Sequence, residues 1–175
     1  MPIPKPLVKI ISDNEAPGAV KEFFEVMRQK QGKVPEWMRV MAHCDDTLMA
    51  FFGFFKTLMD DAPADPKLKW KLGFRVSELN KCEYCVSVTK GMLKKLGISD
   101  EDLQDIEKGM SEKERLALKF AGEMTEHAYN ISDDTLAKMK ENFSDAEIVE
   151  IASVVGLFNY INRFNDALGV LITED

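Results

Sequence analysis

Cysteine is scarce in this chain, with three in 175 residues. So small and odd a number excludes the dense disulfide framework of small secreted domains. No block of basic residues exists either: 23 Lys and Arg are scattered among 30 Asp and Glu, for a net charge of −7. That balance lacks the positive footprint that nucleic acid or an anionic membrane selects, and neither is expected as a partner. The longest apolar stretch, residues 48–55, is too short to span a bilayer. The first eleven residues hold Pro2, Pro4 and Pro6 and no long apolar core, so they do not read as a secretory signal and a cytoplasmic location is expected. No window shows the alternation of a half-buried strand, and no internal repeat is visible.

What is present supports a packed core: 45% of residues are apolar and 30% charged. The length suits one domain, and the expected layout is an extended segment over 1–14 followed by a single all-α, multi-helix domain over 15–175. Helix punctuation is legible. Ser99, Ser111, Ser132 and Ser144 each precede an apolar-periodic run, and Ser111 with Glu114 and Ser144 with Glu147 have the spacing of a reciprocal capping box. Gly97, Gly109, Asn130 and Gly169 fall where helices should stop, in residue types that tolerate the left-handed conformation common there. Earlier, Asp13 or Asn14 can cap a helix running to about Lys30, which Gly32 breaks. Pro63 and Pro66 separate an aromatic-rich helix near 46–58 from the next one, which carries Leu68, Leu72, Val76 and Leu79 on one stripe. The aromatic helix is apolar around most of its circumference, more than one small core covers, so a homo-oligomer is expected.

Cys82 and Cys85 stand at the head of a run that continues as a helix to Gly97. Residues three apart share a helix face, which brings two sulfurs within bonding range. A helix start also lowers a thiol pKa. Dithiol and disulfide redox is the leading reading; a chance pair of small core residues and a zinc site joined by His43 and Cys44 are the alternatives, the latter weakened by the adjacency of those two residues. Cys44 by itself reads as a buried helix residue. Glu78 and Glu83 read as solvated helix-surface charges, and His127 as a cation near a helix C-terminus.

The run RVSELNKCEYC at 75–85 resembles the core of the alkylhydroperoxidase D and carboxymuconolactone decarboxylase family. The run FNYINRFNDALGV at 158–170 resembles that family's C-terminal helix, and His43 sits where its peroxidase-related members often carry a His. The resemblance implies an AhpD-like helical fold, assembly as dimers, trimers or hexamers, and thiol peroxidase chemistry with no cofactor or metal. It implies that Cys85 forms the sulfenic acid on a small hydroperoxide and that Cys82 resolves it, a disulfide-bearing redox partner being the other implied substrate. The family's proton relay has a Glu twelve residues before the first cysteine and a His four after the second; Trp70 and Thr89 occupy those positions. His43 is the remaining imidazole that could serve as a base. The decarboxylase branch needs a His and cationic groups instead of a cysteine pair, so redox is favoured over decarboxylation. Loss of the relay also leaves a second reading open, a catalytically degenerate scaffold or small-molecule binding module.

Overall fold

The computed structural model describes residues 6–60 and 64–171. Pro2, Pro4 and Pro63, which figured in the expectations above, lie outside the described residues. Among those described, regular structure is entirely helical: α1 Gly18–Gln31, α2 Glu36–Met41, α3 Asp45–Asp60, α4 Pro66–Asn80, α5 Glu83–Lys95, α6 Glu112–His127, α7 Asp133–Asn142 and α8 Asp145–Leu168. Short 3-10 turns fall at Asp102–Gln104 and Ala128–Asn130. The all-α expectation holds. No helix among the described residues is long and apolar enough to cross a membrane.

Contacts divide the chain into two units, one made of Met1–Phe55 with Phe164–Asp175, the other of Lys56–Arg163. In the first, α1 buries Val20, Phe23, Phe24 and Met27. Phe23 meets the edge of Phe52 at 4.8 Å between centroids, and Trp37 meets Phe51 at 5.4 Å; such edge-to-face pairs add to simple area burial. The expected cap from Asp13 or Asn14 is not made. Asp13 pairs instead with Arg28 and Arg39, and α1 starts only after Pro17, with no side-chain cap. Gly32 ends it at φ 83°, a conformation that favours glycine.

In the second unit, α4 packs against α5 and α6, and α6 against α7. Leu68, Leu72 and Val76 are buried along α4. The part of α8 in this unit crosses α4 at Gly73, where an added Cβ would lie 2.3 Å from the Phe158 ring. Glycine is therefore required by the close approach of the two helices. The serine caps form as expected. Ser111 accepts from the Glu114 N–H at 3.2 Å while Glu114 accepts from the Ser111 N–H at 2.8 Å. Ser144 and Glu147 repeat the box, and with Lys113 also bonded to it, the Glu147 carboxyl is lowered to about 2. Ser132 accepts from Thr135 at the head of α7, and Ser99 accepts from Asp102 to open a 3-10 turn instead of a longer helix. Gly97, Gly109 and Gly169 have positive φ; Asn130 does not, because its chain segment passes through a 3-10 turn into extended backbone at Ile131.

One ion pair in this unit is buried. Lys69 Nζ lies 2.9 Å from Glu150, with side chains 1% and 5% exposed, and Glu150 also accepts from the Ala64 N–H. Removing one member leaves a charge in a dry interior. Lys69→Met alone should cost about 3–5 kcal/mol, and adding Glu150→Leu should recover most of that loss; chemical denaturation of both variants measures it, and an additive double variant would show the pair uncoupled.

Candidate functional site: the Cys82 and Cys85 pair

The chain passes from α4 to α5 in two residues. Lys81 takes the left-handed conformation at φ 60°, ψ 29°, and it is the one non-glycine residue among those described with positive φ. Its N–H donates to Glu78 O at 3.0 Å, and the Cys82 N–H reaches back to Ser77 O at 3.1 Å, closing the end of α4. Cys82 then caps α5: its Sγ accepts from the Cys85 N–H at 3.4 Å. The two cysteines are joined as a disulfide with Cα atoms 5.3 Å apart, inside the range that a disulfide spans without backbone movement. Cys82 is fully buried and Cys85 is 4% exposed. The sequence reading placed both sulfurs at a helix start, and that is where they lie.

The residues at the relay positions are committed elsewhere. The Thr89 hydroxyl donates to Cys85 O at 2.8 Å and Val86 O at 3.1 Å, one turn along α5, and Thr89 is 1% exposed. Trp70 sets its ring edge-on to Phe158 at 6.0 Å, in the α4–α8 contact. Glu78 and Glu83 are exposed, as expected. His127 closes the last turn of α6.

His43 belongs to the first unit, in the turn between α2 and α3. Its Nε2 lies 2.7 Å from Lys9 O. Cys44 follows in that turn and is exposed, which corrects the expectation of a buried helix residue. Three and four residues separate it from buried Met41 and Leu48, but the helix is interrupted between Met41 and Asp45, so it does not share their face. Among the described residues no cluster of His, Cys, Asp and Glu has the makings of a metal site.

A set of buried and half-buried polar side chains next to the pair went unread in the sequence. Asn80 Nδ2 donates to Asn159 Oδ1 and Asn162 Oδ1, both at 3.0 Å. Asn162 Nδ2 donates to Ser77 Oγ at 3.2 Å, and Ser77 Oγ donates to Gly73 O at 2.7 Å. Asn159 Nδ2 donates to Thr125 Oγ1 at 3.1 Å. The available signal was two polar pairs at i, i+3, Ser77 with Asn80 on α4 and Asn159 with Asn162 on α8. Separately, Arg75, Leu79, Arg115, Leu118 and Lys119 help line a cavity of about 470 Å³ between α4 and α6, to which neither cysteine contributes.

No family model matches the chain. The curated protein YnjA of Escherichia coli K12, described as uncharacterized, is 26% identical over 114 residues, 62% of this chain; the chain spans 63% of that relative's length. Among solved structures, a peroxidase-related protein of Ralstonia eutropha JMP134, described as an alkylhydroperoxidase AhpD core, superposes with a TM-score of 0.84 at 22% identity, covering 99% of this chain and 94% of its own. A peroxidase-related protein of Silicibacter sp. TM1040 gives 0.81 at 23% identity, covering 98% and 90%. The debrominase Bmp8, in a variant bound to 2,3,4-tribromopyrrole, gives 0.83 at 22% identity, covering 97% and 92%. The chain has the AhpD-like fold.

Lys81 offers a direct check on the junction. A lysine held in the left-handed region is disfavoured by roughly 1 kcal/mol relative to glycine. Lys81→Gly should therefore raise the denaturation midpoint by an amount equivalent to about 1 kcal/mol, and a loss of stability would show that the lysine side chain supports the turn.

Proposed function

We propose that the protein is a thiol oxidoreductase whose Cys82 and Cys85 cycle between dithiol and disulfide, with a small hydroperoxide as oxidant. The observation that carries this reading is the placement of both sulfurs at the head of α5 within bonding distance, Cys82 capping the helix. Helix N-terminal N–H groups and the positive end of the dipole favour thiolate over thiol there.

The Cys85 thiolate attacks the terminal oxygen of ROOH. An S–O bond forms, the O–O bond breaks, and the departing alkoxide takes a proton to leave as ROH. Cys82 sulfur then attacks the Cys85 sulfenic acid, the S–S bond forms, and water departs with the Cys82 proton. A dithiol donor returns the pair to the reduced state by exchange. Thr89 and Trp70 supply no general base, so the thiolate population rests on the helix terminus. A positioned base contributes about 10²–10⁴ in rate elsewhere, and this chain should turn over correspondingly slowly.

Stopped-flow oxidation of the reduced protein by hydrogen peroxide and by cumene hydroperoxide tests the reading. A peptide lighter by two hydrogens, linking Cys82 to Cys85, is expected. Cys85→Ser should abolish the reaction, and Cys82→Ser should strand a sulfenic acid that dimedone traps. Separately oxidised thiols, or Cys44 in the link, would reject it. A second reading, a scaffold or binding module without turnover, is favoured by the commitment of Thr89 and Trp70 to other contacts; thiols inert to both peroxides would select it. Tribromopyrrole, the molecule bound by the Bmp8 variant, is a third acceptor for the same assay.

Self-association through α3 is part of the proposal. Met49 and Phe54 are 45% and 48% exposed on that helix, and exposed apolar side chains on one element mark an interface. Sedimentation at micromolar protein should show an oligomer that Met49→Lys with Phe54→Lys dissociates, whereas a monomeric parent would refute it.

A further inference from the structure

We propose that Asn162 is a positioning residue for the thiol pair, acting through the last turn of α4. The inference rests on the redox reading above. Asn162 is fully buried on α8 and uses both ends of its amide on that one turn. Its Oδ1 accepts from Asn80, the final residue of α4, and its Nδ2 donates to Ser77, three residues earlier. Ser77 supplies the carbonyl that receives the Cys82 N–H. A single side chain thus ties together the start and finish of the turn from which Cys82 hangs.

The tie bears directly on the cysteines because the junction is short. Only Lys81 separates Asn80 from Cys82, in a conformation a lysine does not adopt freely. When the disulfide is open, the position of Cys82 sulfur relative to Cys85 depends on that turn keeping its shape. A fixed turn raises the effective concentration of one thiol at the other, as any preorganised intramolecular reaction does. Asn80 also binds Asn159, which is held by Thr125 on α6, so the tie is anchored to a second helix.

Linkage separates positioning from bulk stability. A residue that supports the reduced and oxidised forms equally lowers the stability of both and leaves the equilibrium between them unmoved. One that brings the thiols together enters the equilibrium constant itself.

The dithiol–disulfide equilibrium of the full-length protein is measured in glutathione redox buffers by thiol labelling, with the Cys82–Cys85 peptide read by mass spectrometry. Asn162→Leu should lower the constant for disulfide formation by about tenfold, equivalent to about 30 mV for a two-electron couple. Ser77→Ala should move it the same way by less. Thr135→Val, which cuts a partly buried hydrogen bond to Glu123 at the start of α7, should lower the melting temperature and leave the constant within threefold. A folded Asn162→Leu whose constant stays within threefold of the parent, or shifts toward disulfide, overturns the inference alone. If Asn162→Leu does not fold, Ser77→Ala and Asn80→Ser decide, and unchanged constants in both overturn it. A parent whose thiols never pair overturns the redox reading as well.

Discussion

A buried amide must find partners inside the protein, since each unmet donor or acceptor costs about 1–3 kcal/mol. In the second unit this demand organises the ground around the cysteines. Fully buried Asn162 meets it by spanning Ser77 and Asn80, while half-buried Asn80 also reaches Asn159 and half-buried Asn159 reaches Thr125. The exchange requires α4 and α8 to lie very close, and Gly73 against the Phe158 ring permits that approach. An apolar core of the same volume would have held the helices together as well. Polar partners add a register: α8 fits α4 at one position along its length, because a slip of one residue leaves several amides unpaired.

The cysteine junction follows from that register. With α4 ending at a fixed place, Lys81 reverses the chain and Cys82 opens α5. The positive end of the helix dipole faces the sulfurs, and Glu83 in the first turn of α5 is exposed. The interior also holds a Lys69 and Glu150 pair, which sits on the same two helices toward their other ends. The two buried charges of that pair are matched to each other.

Much of this was legible from residue types. Serine caps, capping boxes and four left-handed glycines appear where local chemistry demands them, because helix ends are governed by neighbours three or four residues away. The thiol pair was legible for the same reason. Asp13 misled because its partners, Arg28 and Arg39, lie 15 and 26 residues on, and a carboxylate that finds two guanidinium groups does not stay to cap a helix. Cys44 misled because helical spacing was extended through a turn. The amide network was hidden by distance: its bonds join positions 34 to 85 residues apart, and no local rule pairs them.

Burial of both sulfurs, at 0% and 4% exposure for their residues, has a kinetic meaning. A macromolecular donor cannot lay its own sulfur in line with a bond that solvent barely touches. Within the proposed chemistry, electron delivery from such a donor is gated by local unfolding at the head of α5, and its rate is the opening constant multiplied by the intrinsic exchange rate. A molecule the size of a hydroperoxide needs far less of that opening. On that proposal the pair would be harder to reach in one half of its cycle than in the other, an asymmetry between oxidation and reduction set by how often one helical turn breathes.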